Sequence, residues 1–322
     1  MKKTILKDLL LVAVIGLLIF GGFKAYAAYT QPLSEPLSLV QPDVKSPMLD
    51  ATPAADKTCG NTGSILILFT GADYSSGVWP FGADTVRLIK VDFDNQEITS
   101  IAFPRDLVVK VSGIAPENQG DQRLGLAYYY EEQATPGDDK AKILAGTQLI
   151  ADILVEDFEV TPEHYITLEL KSLQDLFDLV GDVEINNPTA FVSDYGVSFP
   201  AGVQTLTPQL AVEYVRTSEP GNEIDRLNRQ NIYLKAFRNK VLSLKMIPQI
   251  PDLLKQFDEV ITTDLSPNLL VNLACMAEKV PEEKIYYYNV DGNLIITGEE
   301  RGDILPVYDQ IITFLKEKLG TN

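Results

Sequence analysis

Apolar positions fall along the chain in runs whose spacing changes from one segment to the next. Ser64–Thr70 (SILILFT) is a short apolar run with turn residues behind it, which predicts a buried strand. Thr85–Asp92 and Glu97–Phe103 predict two further strands, joined by a turn at Asp94-Asn95. Helical spacing runs over Lys140–Leu154 and again over Leu173–Val180, where Gly181 stops the helix. Thr207 followed by Pro208 marks a helix start, with the helix running to about Val215. A long helix is predicted from Glu223 to about Lys245, with Ile224, Leu227, Leu234, Phe237, Val241 and Leu244 as its apolar stripe. The C-terminal part predicts a helix near Ser266–Lys279, a strand near Lys284–Val290 and a last helix from Pro306. Alternating strands and helices place the chain in the α/β class, as a single mixed α/β sandwich with a central sheet flanked by helices.

The N-terminus departs from this pattern. Lys2, Lys3 and Lys7 precede an uncharged run of 15 residues, Leu9–Phe23, short of the roughly 20 that span a bilayer. Two readings fit. One is a cleaved signal peptide with Ala25-Tyr26-Ala27 at the cut. The other, favoured by the charge of Lys24 next to that position, is a retained transmembrane helix. Lys24 would then snorkel, and Tyr26 and Tyr29 would sit at headgroup level. Either way the basic end stays inside and the rest is exported. Residues 1–28 are thus an expected anchor or signal, 29–58 a flexible Pro/Ser-rich spacer, and 59–322 one extracytoplasmic domain. The expected location is a single-pass position in the cell membrane.

Charge narrows the function. The 322 residues carry a formal net charge of −18, which argues against generic nucleic-acid binding. The one histidine, His164, stands where a strand begins and reads as structural, because no nucleophile motif accompanies it. One His and two distant Cys exclude a zinc site of several His or Cys ligands. No phosphate-cradling glycine loop is present. Cys59 and Cys275 fit either one disulfide or, for Cys275 in its apolar stretch, a buried thiol.

Arginine is scarce: Arg87, Arg105, Arg123, Arg216, Arg226, Arg229, Arg238 and Arg301 are all there are. Arg226, Arg229 and Gln230 project from one helix face in its first turns, where the helix dipole also favours an anion. Guanidinium is suited to bidentate phosphate contact. The alternative is a solvated face paired to Glu223 and Asp225. Asp73 follows the first strand, Asp84 stands just before the second and Asp106 follows the third. Carboxylates at strand ends can share a metal, and two of them with phosphate oxygens suit Mg2+. Their alternative is ordinary turn chemistry.

In order and spacing, the segments from Ser64 to Gln230 resemble the LytR-CpsA-Psr family of cell-wall glycopolymer phosphotransferases. The resemblance rests on Ser64–Asp73, Gly82–Thr85, Ser100–Asp106, Arg123–Tyr128, Leu179–Val183, Leu206–Arg216 and Glu223–Gln230. It implies an α/β domain on one membrane anchor, binding a polyprenyl-pyrophosphate-linked glycan with the lipid in an apolar tunnel. The glycan phosphate would pass to a cell-wall acceptor. By position, Asp73 and Asp84 would hold Mg2+. Arg105, Arg123, Arg216, Arg226, Arg229 and Gln230 would bind phosphates, and Asp106 would orient Arg105.

The chain also departs from the family's pattern. Gly82 and Ser218 replace arginines, the arginine after the first Asp is missing, and Glu223 stands for an Asp. Arg87 is near enough to be a candidate phosphate ligand, although strand alternation points it away from the face of Asp84. Each lost charged hydrogen bond removes roughly 1.5–3 kcal/mol of phosphate stabilisation. Two alternatives therefore stand beside the enzyme: a weakened member that binds polyprenyl-phosphate lipid or glycopolymer without turnover, and an unrelated adhesion ectodomain.

Overall fold

The computed structural model describes residues 30–38, 59–73, 82–112, 120–169, 173–218, 223–243, 261–298 and 303–320. The hydrophobic segment 1–28 and the spacer from 39 to 58 lie outside them. No helix among the described residues is long and apolar enough to cross a membrane.

The strands run in chain order as β1 (Ser64–Asp73), β2 (Gly82–Asp92), β3 (Glu97–Phe103), β4 (Val108–Val111), β5 (Gly120–Arg123) and β6 (His164–Glu169). Four short ones follow, β7 (Val183–Asn187), β8 (Phe191–Val192), β9 (Ser198–Phe199) and β10 (Gly202–Leu206). The last four are β11 (Ile261–Thr263), β12 (Ile285–Asn289), β13 (Ile295–Thr297) and β14 (Ile304–Pro306). The helices are α1 (Leu124–Ala134), α2 (Asp139–Phe158), α3 (Leu173–Val180), α4 (Pro208–Arg216), α5 (Glu223–Ser243), α6 (Pro267–Lys279) and α7 (Tyr308–Leu319).

Six strands form the central sheet in the order β11-β6-β1-β2-β3-β12. It is mixed: β1 is antiparallel to β2 but parallel to β6, and β3 is parallel to β12. Period-2 alternation gives it two buried faces. On one, Leu66, Leu68, Val86, Leu88, Ile101 and Phe103 pack with Tyr128 of α1, Ile150 and Leu154 of α2, and Ile311 and Leu315 of α7. On the other lie α3 to α6. Phe177, Val180, Tyr214, Val215 and Tyr233 form a second cluster there with β7–β10, and Val91 and Phe93 pack with Met276 of α6. The expected α/β sandwich is what is observed.

Local signals behave as their chemistry requires. The Thr207 hydroxyl accepts from Leu210 N at 3.4 Å to start α4, and Ser266 does the same for α6 at 3.2 Å from Leu269 N. Gly181, at φ 73°, closes α3. Cys59 and Cys275 are joined in a disulfide, which ties the start of the domain to α6. The first part of the spacer lies against the domain: Ser38 N donates to Gln148 Oε1 at 2.7 Å, and the Tyr165 hydroxyl to Glu35 O at 3.0 Å. That corrects a flexible-spacer reading for residues 31–38.

One irregularity decides the site. Gly71 pairs with Thr85 but Ala72 pairs with Ala83, so Asp84 is an extra residue in β2. This β-bulge breaks the alternation. Ala83 shares a core face with Val86 and Leu88. Asp84, Thr85 and Arg87 all line a cavity on the opposite side. The expectation that Arg87 points away from Asp84's face is therefore overturned.

Candidate functional site

That cavity, of about 220 Å³, lies between the sheet and helices α3, α4 and α5. Its wall is divided. Phe69, Leu168, Leu173, Leu176, Phe177 and Phe237 make most of it apolar, while Asp84, Thr85, Arg216, Arg226 and Gln230 supply polar groups. Leu234, expected in the buried stripe of α5, is 37% exposed and also lines the cavity.

Asp84 is the hub. Its Oδ1 accepts from Arg105 Nη1, and its Oδ2 lies 3.8 Å from Arg216 Nη2. The Asp84 carbonyl accepts from Arg226 Nη2 at 2.7 Å. Glu223 holds two arginines at once. It takes Arg226 Nε at 2.8 Å and the Arg105 backbone N–H at 3.0 Å. Arg105 Nη2 also donates to Ser218 Oγ at 3.2 Å, so Ser218 serves as an acceptor at the edge of the cluster.

Burial settles the solvated-face alternative on α5. Arg226, Arg229 and Gln230 are buried, and Glu223 with them. Burial alone would lower the pKa of Arg226, but the charge and hydrogen bonds of Glu223, with Asp84 and Asp106, hold it above the usual value. Arg229 is pulled below its usual value by burial and by Arg226.

The predicted residues do not all meet. Arg105, Arg216 and Arg226 gather at Asp84, and Gln230 adjoins them through Thr85 Oγ1 at 3.3 Å. Arg229 instead turns to the end of α4. It donates to Tyr214 O at 3.3 Å and to Thr217 O, and stacks over the Phe191 ring at 4.5 Å. Arg123 is outside the cavity lining and pairs with Asp106 at 3.2 Å and Asp303 at 2.7 Å. Asp106 thus pairs with Arg123 rather than orienting Arg105, whose carboxylates are Asp84 and Glu223. Burial, with the charge of Glu223, raises the Asp106 pKa against the pull of Arg105 and Arg123.

Asp73 ends β1 opposite Gly82 in register; its side chain lies outside the described residues. The backbone register sets Asp73 and Asp84 near the same corner of the sheet. No group of three or more His, Cys, Asp or Glu able to hold a metal occurs among the described residues. At 3.8 Å the Asp84 Oδ2 contact is beyond hydrogen-bond range, so that oxygen keeps lone pairs for a cation.

Tyr233, which lines the cavity, was not singled out by the sequence. Arg87 was named as a candidate phosphate ligand but placed on the face opposite Asp84; the two-versus-one count between β1 and β2 that brings it to the same side exists only once the pairing is known.

Comparison with known proteins supports one family. The model of the LytR_cpsA_psr family matches residues 37–312. The polyisoprenyl-teichoic acid–peptidoglycan teichoic acid transferase TagU of Bacillus subtilis is 25% identical over 268 residues, 82% of this chain and 79% of that protein. The cell wall biosynthesis protein LcpA of Corynebacterium glutamicum is 30% identical over 171 residues, 50% of this chain and 33% of that protein. In fold, the crystal structure of B. subtilis TagV gives a TM-score of 0.62 at 19% identity, over 81% of this chain and 99% of that one.

Proposed function

The chain belongs to the LytR_cpsA_psr family, and from that premise we propose that it transfers a phosphate-linked glycopolymer from a polyprenyl-pyrophosphate carrier to a cell-wall acceptor. The activity of the TagU relative, a teichoic acid–peptidoglycan teichoic acid transferase, supports the reaction class. The observation that carries the reading for this chain is the divided cavity. Its apolar wall suits an isoprenyl chain, and Asp84 at its polar end gathers Arg105, Arg216 and Arg226.

The chemistry needs no covalent enzyme intermediate. An acceptor hydroxyl attacks the glycan-bearing phosphorus, the bond from that phosphorus to the bridging oxygen breaks, and polyprenyl phosphate leaves with that oxygen. Phosphoryl transfer depends mainly on positioning and charge stabilisation. Arg105 and Arg216 would meet the phosphate oxygens, with Glu223 fixing the Arg105 backbone and Arg226. Asp73 and Asp84 would hold Mg2+, which when bound neutralises phosphate charge. The N-terminal segment 1–28 would keep the domain at the membrane, where a lipid-linked donor lies.

The full chain in detergent, given a polyprenyl-pyrophosphate-linked glycan and peptidoglycan as the acceptor, should release polyprenyl monophosphate only when Mg2+ is present. Asp84→Ala should abolish release; unchanged release would remove the metal assignment. A second reading, lipid binding without turnover, is favoured by Gly82 and Ser218. It predicts stable lipid binding with no release under any metal condition.

A further inference from the structure

Arg87 is 1% exposed, and among the described residues it forms no ion pair. Its partners are neutral. Nη1 donates to Asn231 Oδ1 at 2.7 Å and weakly to Ser100 Oγ at 3.4 Å, and Nη2 donates to Gln230 Oε1 at 3.2 Å. Its Nε is buried with no hydrogen-bond partner. An uncompensated guanidinium in a mostly apolar wall is costly unless something supplies negative charge. A second buried donor, the hydroxyl of Tyr233, also lacks a partner, and its residue lines the same cavity. Burial keeps that phenol protonated by pushing its pKa up. For Arg87, burial and the charge of Arg226 lower the pKa to about 10, which leaves it cationic at neutral pH.

Gln230 joins Arg87 to the polar end of the cavity, accepting from Arg87 and donating to Thr85 Oγ1 at 3.3 Å. Arg87 therefore continues the Asp84 cluster inward along β2. Resting on the carrier-lipid reading above, we propose that Arg87 forms an inner anion subsite that takes the phosphate adjoining the isoprenyl chain, with the Tyr233 hydroxyl as a second donor. The charge missing at Gly82 and Ser218 is thereby supplied from the sheet, and the ligand headgroup sits deeper than the Arg105–Arg216 pair alone would draw it.

Calorimetric titration of the full chain in detergent with farnesyl phosphate, farnesol and inorganic pyrophosphate tests this. Arg87→Met should bind farnesyl phosphate about ten- to a hundred-fold more weakly than the parent. Farnesol binding should be unchanged, since it has no anion to lose. Inorganic pyrophosphate, which needs no apolar wall, should bind both proteins more weakly than farnesyl phosphate binds the parent. The ligand-free Arg87→Met protein should melt no lower than the parent, because a buried unpaired charge has gone; a purely structural Arg87 predicts a lower melting temperature and unchanged affinity. If Arg87→Met does not fold, Arg87→Gln carries the same expectation, and Arg87→Lys should restore part of the binding. Equal affinity of parent and variant for farnesyl phosphate overturns the subsite and leaves the proposed reaction standing. Failure of the parent to bind farnesyl phosphate overturns both.

Discussion

Gly82 and Gly125 meet backbone against backbone: a β-carbon on Gly82 would lie 2.1 Å from the Gly125 carbonyl oxygen, and one on Gly125 would lie 2.7 Å from the Ala83 carbonyl oxygen. Gly82 also sits at φ +116°, a conformation that side chains rarely adopt. This contact docks the start of α1 on the start of β2, beside Arg105. A glycine at position 82 is thus built into the packing around the site.

Placing an arginine at position 82 should therefore harm the protein. Gly82→Arg is expected to lower unfolding free energy by at least about 2 kcal/mol, from backbone strain and displacement of α1. Urea unfolding followed by circular dichroism measures it. Polyprenyl phosphate release should not increase. A variant of parental stability with faster release would show that the glycine contact is not what keeps an arginine out.

Glu223 is the residue on which the arginine cluster depends. It is buried with Arg226 and also holds the Arg105 backbone N–H. Glu223→Gln leaves a buried guanidinium without its counter-charge, a change that costs about 3–5 kcal/mol. Denaturant midpoints should fall accordingly. The double variant Glu223→Gln, Arg226→Met should recover part of that loss while remaining inactive. Full additivity of the two single changes would rule out their coupling.

The regular elements were largely legible from the sequence because their signals are local. Thr207-Pro208, Gly181 and Ser266 are helix punctuation, and Glu97–Phe103 carries its own strand pattern. Helix α1 was not legible. Arg123 at its N-cap makes no side-chain capping bond, and Gly125 stands in its first turn. On α5 the apolar stripe was read correctly in part: Leu227 is buried and Phe237 and Val241 pack against the core, but the polar residues share the buried face. Leu234 is partly exposed, whereas Glu223, Arg226, Arg229 and Gln230 are buried. A polar cluster bonded to β2, to the segment after β3 and to the end of α4 overrides hydrophobic periodicity, and its contacts to Asp84, Thr85 and Arg105 reach more than a hundred residues along the chain. Leu244 of that stripe lies outside the described residues.

The disulfide should stabilise the fold without entering the chemistry. Cys59 and Cys275 are 216 residues apart in sequence, so the cross-link restrains most of the domain in the unfolded state. On the chain-entropy account the gain is up to about 5 kcal/mol. Dithiothreitol, or Cys59→Ser with Cys275→Ser, should lower the melting temperature markedly. Release of polyprenyl phosphate at room temperature should persist wherever the domain remains folded, because neither cysteine lines the cavity.

His164 should give the fold a distinct pH dependence. Its Nδ1 lies 3.1 Å from Asp264 Oδ2, and Asp264 Oδ1 also accepts from the Tyr165 backbone N–H at 2.9 Å, linking β6 to the segment after β11. The hydrogen bond to Asp264 raises the His164 pKa, burial opposes this, and the charges of Asp264 and Glu163 add to the rise. A histidine whose folded pKa exceeds its unfolded value binds its proton more tightly when folded. Its stabilisation is therefore full below the unfolded value of about 6.5 and is lost as pH rises through the folded pKa. His164→Gln should unfold at lower denaturant than the parent at pH 5.5, and the gap should narrow steadily toward pH 8.5. Comparing His164→Gln leaves Asp264 free to keep its bond to Tyr165, so the pH-dependent part isolates the imidazole. A gap that stays constant over that range would show that His164 contributes only packing.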